Sequence, residues 1–340
     1  MKIGFVGYQG SGKSSLFTWL TGTAADIALQ HTTQSAMAAV PDPRVAGLIE
    51  IYQPKKISLA SLELVDTPGL SRTHEGNAAR LSLIREAGCL AIVTAGFSGC
   101  DPMADLRTFE EDLLLADLEV VTGRVERLRE AVKKPRPNQA EQLAELNAIL
   151  PLLEVLEAGQ SLSTCPMTAE QLRATSSFGL LTRKRRLVIA NVAEDATTNL
   201  PTHLGEQTPV IAVPVGWELE LSQMSPDEQA EFRRESGSVA FDRDGLLRTL
   251  MAVSGQMLFF TAGPKDVRTW MIPQGATALD AAAAIHTDLA RGFIRAEIMS
   301  CADLIRLGGE REVKQQNLVR QEAKDYLIQD GDILNIRFSV

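Results

Sequence analysis

The sequence predicts an α/β fold with an inserted antiparallel helical arm and a smaller C-terminal α+β domain. Three observations predict it. An apolar run from Ile3 to Val6 feeds directly into Gly7-Tyr-Gln-Gly-Ser-Gly-Lys13-Ser14, with the spacing G-x-x-x-x-G-K-[ST]. Between Asp105 and Leu156 apolar residues recur every three and four positions, which is the period of a helix face. Beyond Met257 the texture changes to short apolar runs separated by turn signals.

Composition narrows the function classes. A chain of 340 residues has room for two or three domains. Its net charge of −9 argues against coating nucleic acid by bulk electrostatics, so any RNA contact falls to local patches. Two basic runs qualify, Lys133-Lys-Pro-Arg136 and Arg183-Lys-Arg-Arg186. No run approaches the roughly 20 apolar residues of a membrane span. The opening residues enter a strand at once, so no secretory signal is expected. The four cysteines, Cys89, Cys100, Cys165 and Cys301, are widely separated. They predict neither a disulfide framework nor a zinc site, and they fit a reduced cytoplasmic compartment.

Taken in order, the first strand delivers the chain to a glycine-rich loop. There the backbone N–H groups from Gln9 through Gly10, Ser11, Gly12, Lys13, Ser14 and Ser15 can turn inward around phosphate oxygens. Lys13 is placed to reach the β- and γ-phosphates of ATP or GTP, and Ser14 to offer its hydroxyl to Mg²⁺. Ser14 to Leu20 reads as the helix whose N-terminus adds its dipole. Residues 22–44 show weak periodicity and read as a connection ending at the turn Pro41-Asp-Pro-Arg44. Such a segment supplies a threonine to Mg²⁺ and the γ-phosphate; Thr32 and Thr33 are the candidates, and Thr33 is preferred.

Residues 58–65 alternate as a strand and run into Asp66-Thr-Pro-Gly69. In this D-x-x-G arrangement Asp66 holds a water of the Mg²⁺ shell and the Gly69 N–H meets the γ-phosphate. Leu70 follows, where a water-positioning glutamine often stands, and a leucine cannot hydrogen-bond water. His74 and Glu75 are the nearby polar candidates. Cys89 to Thr94 is a continuous apolar run, as a buried parallel strand requires.

Helical periodicity then spans Asp105 to about Lys133, breaks at Pro135 and Pro137, and returns from Gln139 to Leu156, with a kink expected at Pro151. This predicts a helical hairpin suited to touching a partner. A short helix is expected over 168–181. Leu187 to Asn191 resumes the sheet and enters Asn191-Val192-Ala-Glu194, where the base is expected to be read. The guanine-selective pattern N-K-x-D is broken here, since the lysine is missing and glutamate ends the motif. Residues 209–214 form a further strand, and its exit, Val215-Gly216-Trp217, is the second wall of the base pocket. Ser225-Pro-Asp-Glu marks a helix start with Ser at the N-cap and Pro in the first turn. Ile333 to Phe338 closes the last domain as a strand.

These residues resemble the YchF or Obg-like ATPases, of the translation-factor class of P-loop NTPases. The likeness spans nearly the whole chain. It includes the P-loop with Leu16-Phe17, Val40-Pro-Asp-Pro-Arg44, Leu115-Ala-Asp-Leu-Glu119, and Leu180-Leu-Thr-Arg-Lys before Ala190-Asn-Val-Ala-Glu-Asp195. Phe260-Thr-Ala-Gly-Pro-Lys-Asp-Val-Arg-Thr-Trp270, Gly292-Phe-Ile-Arg-Ala-Glu297, Ala323-Lys-Asp-Tyr and Asp330-Gly-Asp look like that family's C-terminal TGS domain. The resemblance implies a Ras-like P-loop domain over 1–104 and 179–256, a coiled-coil arm over 105–178 and a β-grasp-like TGS domain over 257–340. It also implies slow ATP hydrolysis with relaxed choice between ATP and GTP, and ribosome or ribosomal RNA as partner of arm and TGS domain. Leu70 matches the family habit of an apolar residue at that place.

The chain departs from the family pattern in four places. Gly10 stands where the family has an asparagine, so potassium activation by that route is not expected. The glycine-rich run after D-x-x-G is shortened, Phe97-Ser-Gly-Cys-Asp101 replaces a histidine loop, and Pro214-Val-Gly replaces Ser-Ala-Lys. The expected machinery is Lys13 and Gly69 for catalysis, Ser14, Thr33 and Asp66 for Mg²⁺, and Asn191, Val192, Glu194, Val215 and Gly216 for the base, in a monomer. A GTP-selective GTPase and a nucleotide-binding module without turnover are the alternatives.

Overall fold

The computed structural model describes residues 1–26, 31–133, 137–194, 200–205 and 208–339. In chain order it begins with β1 (Lys2–Val6), α1 (Lys13–Thr21), β2 (Gln34–Ala39), α2 (Arg44–Tyr52), β3 (Ile57–Ser58), β4 (Ser61–Asp66), α3 (Asn77–Arg85) and β5 (Cys89–Gly96). The central part holds α4 (Pro102–Ala131), α5 (Gln139–Glu157), α6 (Ala169–Ala174), β6 (Arg185–Val192), β7 (His203–Leu204), β8 (Thr208–Val213), α7 (Val215–Leu221) and α8 (Pro226–Ser236). Then follow α9 (Arg243–Val253), β9 (Gln256–Ala262), β10 (Val267–Pro273), α10 (Ala278–Ile285), α11 (Thr287–Arg291), β11 (Phe293–Ser300), α12 (Cys301–Leu307), α13 (Glu310–Gln315), β12 (Arg320–Glu322) and β13 (Asp332–Phe338). The chain divides into two compact units, Met1–Ala36 with Leu64–Phe241, and Met37–Glu63 with Asp242–Val340.

The first unit is organised on a seven-stranded sheet of order β2-β4-β1-β5-β6-β8-β7. β5 pairs in parallel with β1 and β6, and β6 with β8. Both central strands, β5 and β6, are buried along almost their whole length, and their unbroken apolar sequence follows from helices covering both faces. Two sequence expectations need correction. The connection expected over 22–44 contains β2, whose Ala- and Ser-rich alternation is too weakly apolar to announce a strand that is half exposed. The single strand expected over 58–65 is interrupted: Ser58 joins Ile57 in β3, which pairs with Val267 and Arg268 of β10, and β4 begins at Ser61.

Helix α4 starts earlier than its apolar period. Asp101 caps it by accepting from the Met103 N–H at 2.8 Å, and Pro102 occupies the first turn, where no N–H is missed. α4 packs along α5 through Val121, Val125 and Leu128 against Leu146, Ile149, Leu153 and Leu156. Arg124 adds a forked pair to Glu145, both contacts at 2.7 Å. Pro151 lies inside α5, which continues to Glu157. α6 is shorter than expected and begins at a capping box between Thr168 and Gln171.

The return from the hairpin is fixed by Asp117 of α4, which is fully buried. Its carboxylate accepts from Arg85 at 2.9 Å, from the N–H groups of Leu181 and Thr182 at 2.9 and 2.8 Å, and from the Thr182 hydroxyl at 2.9 Å. This network explains why the Leu115-Ala-Asp and Leu180-Leu-Thr motifs occur in one chain. It also alters the reading of the basic run at 183–186. Lys184 turns inward onto the carbonyls of Arg85 and Ala87, and Arg186 onto Glu110 and the Thr182 carbonyl. Only Arg183 and Arg185 face solvent. Of the other basic run, residues 134–136 lie outside the described residues.

The second unit is a mixed sheet of order β12-β11-β13-β9-β10-β3. The last strand, β13, sits inside it, parallel to β9 and antiparallel to β11, with α10 and α11 connecting β10 to β11 in a β-grasp-like arrangement. α2 and β3, expected with the nucleotide domain, pack in this unit, while β2 and β4 pair in the seven-stranded sheet. Val45 and Leu48 of α2 share a core with Phe260, Leu304 and Ile333. Arg44 bonds Asp42 and, at 2.7 Å, Asp330, and its guanidinium lies over the Phe260 ring. The Pro-Asp-Pro-Arg and Asp-Gly-Asp motifs thus meet as one structural joint.

Replacing Asp117 with alanine would take the acceptor from two buried amides and the Thr182 hydroxyl, and leave Arg85 only its bonds to the carbonyls of Ala116, Phe178 and Gly179. The Asp117→Ala chain should lose about 3 kcal/mol, seen as a lower urea midpoint at unchanged slope. A loss below about 1 kcal/mol would show that the network is not what holds the hairpin base.

Candidate functional site

The glycine spacing of the loop after β1 is imposed by geometry. Gly12 has φ +99°, and a Cβ there would sit 2.2 Å from the Asn191 side-chain nitrogen. Gly7 has φ +146°, and a Cβ there would lie 2.3 Å from the Val93 carbonyl oxygen. Both positions therefore exclude any side chain. The loop is braced on two sides. Asn191 donates to the Ser11 carbonyl at 3.1 Å and accepts from the Val215 N–H at 3.3 Å. On the other side Leu70 forms a bridge with Tyr8: the Gln9 N–H donates to the Leu70 carbonyl, and the Leu70 N–H to Gly7, both at 3.0 Å.

Lys13, at the start of α1, is buried and donates to the Tyr8 carbonyl at 2.7 Å. Burial lowers its ammonium to about 8, opposed by the carboxylates of Asp66 and Asp105. Gly69 sits against the loop. A Cβ there would lie 2.7 Å from both the Lys13 nitrogen and the Gln9 nitrogen. The Ser14 hydroxyl donates to Asp66 Oδ2 at 2.6 Å. Burial raises the Asp66 carboxyl, against the lowering pull of Ser14 and Lys13. Its Oδ1 is buried with no hydrogen-bond partner among the described residues. A hydroxyl beside a carboxylate oxygen that lacks a proton donor is a donor set that fits a hard divalent cation.

These groups open on one cavity of about 510 Å³, lined by Gln9, Gly10, Lys13, Ser14, Asp66 and Gly69 among others. Of the two threonine candidates for the metal, Thr32 lines it and Thr33 does not. In a half-exposed segment sequence spacing cannot tell which of two neighbours faces in. His31 also lines the cavity and was not foreseen.

The switch segment after Gly69 is oriented elsewhere. Leu70 is fully buried with Tyr8, Ile84, Leu106 and Phe109. Asn77 clasps Ser71 through both its side-chain atoms, at 2.8 and 2.9 Å. Arg72 lies 4.3 Å from the Tyr8 ring centroid and pairs with Asp105. His74 stands 3.6 Å from Asp112, which also accepts from the Tyr8 hydroxyl at 2.8 Å. Neither His74 nor Glu75 lines the cavity, so the water-positioning role expected near them is not supported by their location.

The residues expected to read the base are only partly brought together. Asn191 spends both side-chain groups on the two backbone braces, so it acts as a strut between loops. Val192 and Val215 are buried, while Glu194 and Gly216 are exposed. Ser11, Gly12 and Ser15 shape the loop and helix start without lining the cavity. Asp195 lies outside the described residues.

Comparison with known proteins agrees with this geometry. A family model described as 50S ribosome-binding GTPase matches residues 2–116, and the YchF-GTPase C-terminal model, a protein of unknown function, matches residues 257–339. The chain is 33% identical to "Ribosome-binding ATPase YchF" of Haemophilus influenzae, covering 100% of this chain and 99% of that protein. This chain belongs to the YchF family. Identity to the Bacillus subtilis family member is 31%, over 100% of both chains. "Obg-like ATPase 1" of Oryza sativa is 32% identical, over 100% of this chain and 92% of its own. The solved Schizosaccharomyces pombe YchF GTPase superposes with a TM-score of 0.84 at 25% identity, covering 99% of this chain and 97% of that one. In this YchF chain the loop after β1 and the D-x-x-G stretch fall within the GTPase match, and the C-terminal sheet from β9 onward within the YchF C-terminal match.

The lowered ammonium predicts a pH limit on nucleotide affinity. Lys13 is charged below about 8 and neutral above it, and phosphate binding favours the charged form. Folding disfavours the ammonium, so this group's cost to the free fold is present below that value and relieved as pH rises through it. Affinity for MgATP should hold up to about pH 8 and weaken by up to roughly tenfold per unit above it, by calorimetric titration. Constant affinity up to about pH 9.5 would contradict the placement of Lys13.

Proposed function

We propose that the chain is a Mg²⁺-dependent P-loop nucleoside triphosphatase that takes ATP, and GTP less selectively, and whose nucleotide state governs docking onto the ribosome. The carrying observation is the buried Lys13 held beside Gly69 and the Ser14–Asp66 pair on one cavity. Lys13 leaves the Tyr8 carbonyl for phosphate oxygens, Gly69 offers its N–H to the γ-phosphate, and the amides of Gly10 to Ser14 hold the β-phosphate. Ser14, Asp66 and Thr32 are the residues that would hold Mg²⁺, which when bound would supply neutralisation of charge on the triphosphate.

Relaxed base choice is supported by Asn191, whose side chain is taken up by backbone bonds, and by the exposed Glu194. A ribosomal partner is supported by the names carried by relatives, and the α4–α5 hairpin and the C-terminal, TGS-like sheet are the elements assigned to meet it. No helix among the described residues is long and apolar enough to cross a membrane. A cytoplasmic monomer fits these features. The buried Leu70 favours a second reading, nucleotide as a regulatory ligand without turnover.

Competition of ATP and GTP for a fluorescent nucleotide, with Lys13→Ala as control, tests the proposal. Lys13→Ala should weaken MgATP binding by roughly a hundredfold or more, and ATP and GTP should compete within about tenfold of one another. The ATP-loaded and ADP-loaded forms should cosediment with ribosomes to different extents. Wild-type affinity in Lys13→Ala would overturn the proposal, and a hundredfold preference for GTP would replace it with a GTP-selective switch.

A further inference from the structure

Hydrolysis needs a group that orients the attacking water, and the side chains expected to do so are elsewhere. Leu70 is sealed in the core and pinned by its two backbone bonds to the loop. His74 is turned to Asp112. Of the polar side chains that do line the cavity, Lys13, Ser14, Thr32 and Asp66 are assigned to phosphate and metal, and Asp26 and His31 come from the segment before β2. Thr67 is spent on the Phe5 carbonyl at 2.6 Å, and Gln34 on Asp26 and Ala24.

Gln9 is placed differently. Its backbone is held by the bond from its N–H to Leu70, directly beside Gly69: a Cβ on Gly69 would lie 2.8 Å from the Gln9 Cα and 2.7 Å from the Lys13 nitrogen. Its side chain is exposed, lines the cavity, and donates no hydrogen bond among the described residues. The next residue, Gly10, also lines the cavity and has nothing within 4 Å of where a Cβ would stand, so the loop is open on that side. A carboxamide at that point can accept a hydrogen bond from a water molecule through its oxygen and donate one to a phosphate oxygen through its nitrogen.

We propose that Gln9, in the phosphate loop itself, orients the attacking water and so replaces the group lost at Leu70. The inference rests on the nucleotide-binding reading above. In the step it serves, the water oxygen bonds to the γ-phosphorus as the bond to the β–γ bridging oxygen breaks. The nucleoside diphosphate departs with that electron pair, and the water proton passes to a phosphate oxygen. Gln9 keeps its own protons throughout, since a carboxamide positions water without acting as a base.

The test is single-turnover hydrolysis of MgATP and MgGTP by the full chain, with affinity measured in parallel using a non-hydrolysable analogue. Gln9→Ala should slow the chemical step by roughly a hundredfold while affinity stays within about threefold; His31→Ala and His74→Ala should each remain within about threefold of wild-type rate. Gln9→Glu, which keeps the length but loses the amide donor, should also be slow. A Gln9→Ala rate above a third of wild type, or a wild-type chain that binds triphosphate without cleaving it, overturns the proposal and leaves the binding reading standing. Failure of the wild-type chain to bind either triphosphate would sink both.

Discussion

The site depends on the bridge between the phosphate loop and Leu70. Two backbone hydrogen bonds, Gln9 to Leu70 and Leu70 to Gly7, make the exit of β4 an extension of the loop after β1. Such bonds fix backbone without regard to side chain, which frees Leu70 to be apolar. Once Leu70 is buried, Gly69 is pressed against Lys13 and Gln9, where only a residue without Cβ fits. Asn191 closes the far side by joining Ser11 to the start of α7. The cavity is held open between these two braces.

The same loop is wired to the helical hairpin. Tyr8 lies inside the loop, yet its hydroxyl bonds Asp112 and its ring meets Phe109 edge-on, both on α4. Burial, followed by the bond to Asp112, pushes the Tyr8 phenol well above its ordinary range, so it stays a donor. Arg72 covers the other face of that ring and pairs with Asp105, whose second oxygen accepts from the Ala95 N–H at 3.2 Å. Loop, switch segment and hairpin base thus share one cluster of charged and aromatic groups. A shift of Arg72 would reach α4 through contacts already made.

The legible part of the chain was the part governed by spacing. The loop motif, D-x-x-G, the buried strands β5 and β6, the hairpin and the Ser225 cap followed by Pro226 all follow from short-range patterns. Contacts between distant segments were hidden. Nothing in Arg183-Lys-Arg-Arg186 shows that Lys184 and Arg186 point inward, because the run straddles the start of β6 and a mixed surface of arginine and lysine reads the same either way. Ser58 leaves the expected strand because its partner is on β10, far along the sequence. Asn191 has the identity of a base reader, but the partners that occupy it, Ser11 and Val215, are revealed only by the fold. The motif Val40-Pro-Asp-Pro-Arg44 was visible as a signature, while its physical reason, the Arg44 joint with Asp330, was not.

A polyphosphate captured by main-chain amides is the central claim, and a crystal structure of the chain with Mg²⁺ and a non-hydrolysable ATP analogue tests it most directly. The account predicts phosphate oxygens on the amides of Gly10 to Ser14, Lys13 moved off the Tyr8 carbonyl, and the metal between Ser14 and Asp66, with the Leu70 bridge intact. A loop empty of anion at saturating analogue, with Lys13 still bonded to Tyr8, would contradict it.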